Sequence, residues 1–240
     1  MIDLVYTLGK CSKWDNNEIR YSLRSVEKHL KNYRYVFIIG ECPDWIQNVI
    51  HVPVIETGHA SQNIMQKLLK ACDIQILTDE FLFMNDDFFF LKDADAPTYP
   101  YYYDGELSDH IRQGYINWYH DYINETITEL KAKKLSKKYF DIHTPIIYGK
   151  YLFPMIMKEF DFSKKLIVKS IYANQMNFKG EHMKDLKIKG WFSKSVVNNL
   201  IRNKPIFSTG DICFQELDNK KSAVKEILQE LFPNKSKFEI

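Results

Sequence analysis

The run Phe81-Leu82-Phe83-Met84-Asn85-Asp86-Asp87-Phe88-Phe89-Phe90 sets two adjacent carboxylates and an amide inside an otherwise apolar segment. Apolar residues on both sides read as a buried strand over 81–86 that ends in the acids. Paired carboxylates are costly to bury unless a cation or hydrogen-bond donors compensate them. At the carboxyl end of a strand in an open α/β sheet, a ligand held with a hard divalent metal supplies that compensation. The expectation is that Asp86 and Asp87 hold Mg²⁺ or Mn²⁺ bridging a diphosphate, with Asn85 offering a neutral oxygen or a ribose contact. The metal would also neutralise charge on a departing nucleotide. The bland alternative is a strand-end turn capped by Asp, which leaves the apolar flanks unexplained.

Other residues could join such a site. Asp3, on an opening strand, could hydrogen-bond a nucleobase or ribose, or be an ordinary edge residue. Arg20 and Arg24 stand one helical turn apart and could clamp phosphate bidentately, or pair with Glu18 and Glu27 on a solvated face. Arg20 is nearer the helix start, where the dipole favours anions. His143, in a loop just before Pro145, suits a general base that deprotonates an acceptor hydroxyl. Asp211, after Ser208-Thr209-Gly210, is a second base candidate or a further metal or sugar ligand. The aromatic stretch Tyr99–Tyr103 and the pair Trp118-Tyr119 could stack on sugars or bases, although core packing is the commoner role of such residues.

These groups need elements to position them. Ile2 to Thr7 reads as a first strand. Asn16 then caps a helix whose Ile19, Leu23, Val26 and Leu30 form one apolar stripe. Arg34 to Ile39 and Val49 to Ile55, the latter interrupted by Pro53, read as strands. Residues 61–72 fit a helix capped by Ser61, with Ile64, Leu68 and Ala71 facing inward. The acid-bearing strand comes next, fourth in order. Pro97 to Tyr103 reads as a further strand, 106–139 as mostly helix, and 222–232 as a last amphipathic helix. A β-α-β-β-α-β succession predicts an α/β sandwich with a largely parallel sheet.

Composition sets bounds on the chain. Its 240 residues, 45% hydrophobic and 15% aromatic, can bury one large core. The expected organisation is a single domain with a nucleotide-binding half (1–105), a basic, helical acceptor-side lobe (106–205) and a C-terminal segment (206–240). No apolar stretch reaches the length of a membrane span, and the start Met1-Ile2-Asp3-Leu4 lacks the basic opening of a signal peptide. The cysteines, Cys11, Cys42, Cys72 and Cys213, show no zinc spacing, so reduced thiols in a cytoplasm are expected. Net charge is +2 but uneven: residues 1–130 hold 11 basic against 20 acidic side chains, and residues 131–204 hold 17 against 5. The basic block is either solvated surface or a lobe that attracts a polyanion.

Several blocks together resemble the Stealth family, which includes bacterial sugar-phosphate transferases of capsule synthesis and the catalytic core of the animal N-acetylglucosamine-1-phosphotransferase. Ile2-Asp3-Leu4-Val5-Tyr6-Thr7 is similar to its first block. Asn17 to His29, Pro43-Asp44-Trp45 and Phe83-Met84-Asn85-Asp86-Asp87 are similar to its second. His143-Thr144-Pro145 is similar to the start of its third. Phe207 to Asp211 and Leu231 to Glu239 are similar to its fourth. Departures are visible too. Leu8-Gly9 replaces the usual Trp-Val, and Gly210 stands where Asn usually precedes the Asp. The Arg of the third block, which would meet phosphate, is missing around Ser170–Asn174. Lys169 and Asn174 flank that gap, and Lys169 could replace the charge.

The resemblance implies a GT-A-like, metal-dependent transferase acting on a nucleotide-sugar donor, a UDP-sugar first, with a hydroxyl acceptor, a glycan first. Whether sugar or sugar phosphate moves stays open. Two further readings remain: a glycosyltransferase acting on hydroxymethylated DNA bases, using the basic block, and a non-catalytic nucleotide-sugar or glycan-binding protein.

Overall fold

The computed structural model describes residues 1–10, 12–111, 118–215 and 222–240. Cys11 and part of the expected helical stretch at 106–139 therefore lie outside the described residues.

The main sheet contains β1 (Ile2–Leu8), β3 (Tyr33–Gly40), β4 (Ile50–Val52), β5 (Glu80–Met84) and β9 (Ile146–Gly149). Its spatial order is β4-β3-β1-β5-β9. The first four strands are parallel, and β9 joins antiparallel to β5. The α/β class with a mostly parallel sheet, expected from the sequence, is the one observed. Shorter pairings complete the chain: β2 (Leu30–Lys31) with β7 (Ala94–Asp95), β8 (Tyr102–Tyr103) with β10 (Glu181–His182), and β6 (Phe88–Phe90) with β12 (Ile206–Thr209), which also pairs β11 (Lys187–Ile188).

Side chains alternate across this sheet, so each strand feeds two cores. Val5, Phe37, Ile39, Phe81 and Phe83 face one side with α2 (Ala60–Cys72), α3 (Tyr119–Ala132), α4 (Leu152–Met157) and α5 (Val168–Gln175). Leu4, Tyr6, Leu8, Ile38, Leu82 and Met84 face the other, against Ile19, Leu23 and Val26 of α1 (Asn17–His29). Burial on both faces explains the continuous apolar strands. A third core joins Phe89 and Phe207 to α6 (Lys194–Ile201) and α7 (Val224–Leu231).

From β1 the chain steps outward to β3 and β4, then returns on the other side of β1 as β5. This reversal opens a crevice beyond the carboxyl ends of β1 and β5, the place where open α/β sheets hold ligands. Met84, opposite Tyr6 of β1, is the last strand residue before Asn85. Two hydroxyls of α1 hold β6 in place just beyond that turn: Ser22 Oγ donates to Phe88 O at 2.8 Å, and Phe90 N donates to Ser25 Oγ at 3.1 Å. Gly40 ends β3 at φ +116°, and a Cβ there would sit 2.2 Å from Leu8 O. Only glycine lets the ends of β1 and β3 approach so closely.

Some local expectations change. The strand expected over 97–103 shrinks to Tyr102–Tyr103, since Pro97 and Pro100 have no N–H to give a ladder. Asn16 takes the cap position of α1 in a left-handed conformation without a side-chain cap bond. His59, not Ser61, occupies the cap position of α2.

Charge that is segregated along the sequence is mixed in space. Lys164 pairs with Glu129, and Lys165 with Asp121 at 2.6 Å. Lys184 reaches Asp104 at 3.3 Å and Lys187 reaches Asp87 at 3.3 Å. Buried Lys150 and Lys169 are spent on backbone carbonyls. Part of the basic block thus faces acids of the acidic half.

Candidate functional site

Asn85, Asp86 and Asp87 form the turn between β5 and β6, closed by Phe88 N donating to Asn85 O at 3.4 Å. The strand ends at Met84, two residues before the expected limit, and this turn carries the acids beyond the sheet. They line a cavity of about 160 Å³ together with Glu18, Lys187, Thr209 and Asp211. Glu18, from the first turn of α1, is buried and accepts both of its short hydrogen bonds from Ser12 Oγ, at 2.8 and 3.0 Å. Asp211, at the rim, opens a 3₁₀ turn after Gly210.

The electrostatics of this cavity are those of crowded negative charge. Burial pushes the Asp86 carboxyl well above the usual carboxylate range; Asp87 and then Glu18 push it further, and Lys187 opposes them. Burial also raises Glu18, with Asp211 and Asp87 adding to the effect. Thr209 is 2% exposed, lines the same cavity, and its Oγ1 has no hydrogen-bond partner. A buried hydroxyl left unpaired beside crowded carboxyl groups is a set of oxygen donors that suits a hard divalent cation. Among the described residues no three His, Cys, Asp or Glu side chains converge closely enough to enclose a metal unaided. An ion held by Asp86 and Asp87 would therefore complete its shell with water and substrate oxygens, the habit of Mg²⁺.

His143 lies on a second cavity, of about 710 Å³, whose wall includes Asp141, Asp185, Lys187 and Lys189. Its Nδ1 is 2.7 Å from Asp185 Oδ2, and its backbone N donates to Asp185 Oδ1 at 2.9 Å. Burial would raise Asp185, but its bonds from the His143 side chain and backbone hold its carboxyl below the usual range. An ionised carboxylate can only accept, which assigns the proton to Nδ1 and leaves Nε2 free to take another. This is the arrangement of a general base held by an orienting acid. An adjoining cavity of about 190 Å³, with Trp118, Tyr119 and Tyr122 on its wall, touches both Asn85 and His143. Lys169 lines it too, but its Nζ donates to Ile142 O at 2.5 Å and Thr144 O at 2.8 Å. Burial lowers that ammonium to about 8, against the pull of Asp141 and Asp185.

The structure thus brings together Asn85, Asp86, Asp87, His143, Lys169 and Asp211 around adjoining cavities. It does not bring in the other four candidates. Asp3 sits near the amino end of β1, fully buried, and accepts from Arg34 Nε and Nη2 at 2.9 and 2.7 Å and from Thr78 N and Tyr35 N. It closes the end of the sheet opposite the crevice. Arg20 and Arg24 both engage Glu239, at 2.6 and 2.7 Å, and the Arg20 guanidinium lies 3.9 Å over the Trp45 ring. They clamp the C-terminal segment onto α1, which occupies the charge a phosphate would need. Asn174 bridges Lys138 N and O, and so shapes a loop. Glu18, Asp185 and Lys187 are the additions that sequence reasoning passed over. A signal existed for two of them: Asp185, Lys187 and Lys189 alternate with Leu186 and Ile188, the pattern of a half-buried strand with one polar face.

No family model matches the chain. Curated relatives do. The N-acetylglucosamine-1-phosphotransferase subunits alpha/beta of Mus musculus are 32% identical over 98 residues, 33% of this chain and 7% of that protein. The Homo sapiens protein of the same name is 31% identical over the same share. These are the animal phosphotransferases that the Stealth family includes, so the resemblance read from the sequence blocks stands. The chain spans only a small fraction of their length. The solved structure of the apo-form glycosyltransferase GlyE from Streptococcus pneumoniae is 11% identical, with a TM-score of 0.45, covering 96% of this chain and 60% of that one. So remote a likeness has no bearing on the site.

Proposed function

We propose that this chain is a metal-dependent transferase of the GT-A-like kind, working in the cytoplasm. It moves a sugar, or a sugar 1-phosphate, from a nucleotide-sugar donor, a UDP-sugar first, to a hydroxyl of an acceptor, a glycan first. The observation that carries this reading is the placement of the Asp86–Asp87 turn at the sheet's crevice, with the His143–Asp185 pair on the neighbouring cavity. The phosphotransferase relatives support it.

Asp86 and Asp87 would hold Mg²⁺ or Mn²⁺, with Asp211, Thr209 and Glu18 at hand; the ion supplies a positive charge against the donor's diphosphate. His143 Nε2 takes the proton from the acceptor hydroxyl while Asp185 holds the ring and balances the charge it gains. In sugar transfer the acceptor oxygen bonds the anomeric carbon and the nucleoside diphosphate departs. In sugar-phosphate transfer it bonds the β-phosphorus and the nucleoside monophosphate departs. The aromatic wall of Trp118, Tyr119 and Tyr122 would stack on an acceptor ring. The nucleic-acid acceptor has no separate observation in its favour, and four lysines of the basic block already face acids. A thermal-shift screen of nucleotide sugars with and without Mn²⁺ tests the reading. A Mn²⁺-dependent rise in melting temperature for one donor, absent in Asp87→Ala, is expected; no shift with any donor refutes it.

A further inference from the structure

The acidic cavity and the His143 cavity share one lining side chain, Lys187. Its Nζ is 3.3 Å from Asp87 Oδ2, the single ion pair it makes among the described residues, and its side chain is 21% exposed. An ammonium has three N–H donors, and Asp87 uses one. Paired with Asp87, Lys187 is the cation of the acidic cavity. Lys189 stands two residues on, on the same polar face, exposed and without an ion-pair partner among the described residues. Gly210 lies beneath both: a Cβ there would sit 3.3 Å from Lys189 Cγ and 3.7 Å from Lys187 Cε. Of the other candidate cations, Arg20 and Arg24 are committed to Glu239, and Lys169 to two carbonyls.

We infer that Lys187, assisted by Lys189, is the anion subsite of the cavity, and that it binds the diphosphate of the donor opposite the Asp86–Asp87 turn. This rests on the donor-site reading above and adds the residue that meets phosphate. Lys187 also exchanges partners. It neutralises Asp87 when the cavity holds no cation, and it turns its donors to phosphate when a cation takes Asp87. Diphosphate and divalent cation should accordingly strengthen each other's binding, as linkage requires.

Calorimetric titration of the full chain with inorganic pyrophosphate, with and without Mn²⁺, tests this. The wild-type chain should bind pyrophosphate more tightly in Mn²⁺. Lys187→Gln should weaken that binding about tenfold, the worth of one charge-assisted contact, and abolish the mutual strengthening. Lys187→Arg should stay within about threefold of wild type. Lys189→Gln, at an exposed position, should lose about threefold, a fraction of the loss at Lys187. Circular dichroism melts would show that each variant is folded. Wild-type binding retained unchanged in folded Lys187→Gln and Lys189→Gln overturns this assignment and leaves the donor site standing. A wild-type chain that binds no pyrophosphate in Mn²⁺ overturns both.

Discussion

His143 Nδ1 and Asp185 Oδ2 lie 2.7 Å apart, although 42 residues separate them in the chain. Asp185 also accepts from the His143 backbone N, so it fixes the ring and the loop at once. If this pair moves the acceptor's proton, Asp185→Asn should lower kcat by about 10² to 10⁴, with little change in donor KM. His143→Ala should do the same. The double variant should be scarcely worse than either alone, because the two act as one unit. Steady-state kinetics of the three variants check this.

The acid cavity holds like charges at a cost to stability. In EDTA at neutral pH, Asp86→Asn removes the cost of keeping this buried acid, which burial and Asp87 hold well above its usual range, and should stabilise the chain by about 1 kcal/mol, read as a rise of a few degrees in melting temperature. The same variant should lose Mn²⁺ binding. Stability gained together with function lost is the expected mark of a site built from repelling groups.

Glu239 gives the C-terminal segment its hold on α1. Burial alone would raise its carboxyl, but bonds from Arg24, Ser236 N and Arg20 bring it down from 4.5 to about 2. A depressed acid stabilises the fold above its unfolded value and loses that contribution as pH falls. Acid unfolding should therefore show a component between about pH 4.5 and 2 that Glu239→Gln lacks. At neutral pH that substitution strands two arginines, at a cost of about 3 kcal/mol. Equilibrium urea unfolding across pH measures both effects.

Gly40→Ala tests the packing beneath the crevice. The new Cβ would meet Leu8 O at 2.2 Å with φ at +116°. Backbone must shift, so a loss of more than about 3 kcal/mol is expected in chemical denaturation.

Where the sequence was legible, burial was local and symmetric. The apolar run around Asn85-Asp86-Asp87 announced a strand buried on both faces, and the stripe Ile19, Leu23, Val26 announced the buried face of α1. Acids at a strand end and a polar helix face were therefore readable, as was a largely parallel sheet. What could not be read was the partner of each charge. Arg20 and Arg24 show the same helical spacing whether they meet phosphate or Glu239, which is 219 and 215 residues away. Asp3 shows the same strand position whether it meets a ribose or Arg34. Glu18 looked like a solvated helix acid until the turn after β5 folded over it. Lys187 lies on a two-residue strand, and the alternation around it marked a polar face without saying which cavity that face lines.

The most direct test of the account is the mass of the product formed from a nucleotide sugar, a hydroxyl acceptor and Mn²⁺, with the wild-type chain and Asp87→Ala side by side. The expected product is an acceptor heavier by a sugar or a sugar phosphate, with nucleoside diphosphate or monophosphate released to match. No product is expected from Asp87→Ala or in EDTA. Full turnover by Asp87→Ala would contradict the assignment of the Asp86–Asp87 turn as the centre of the site.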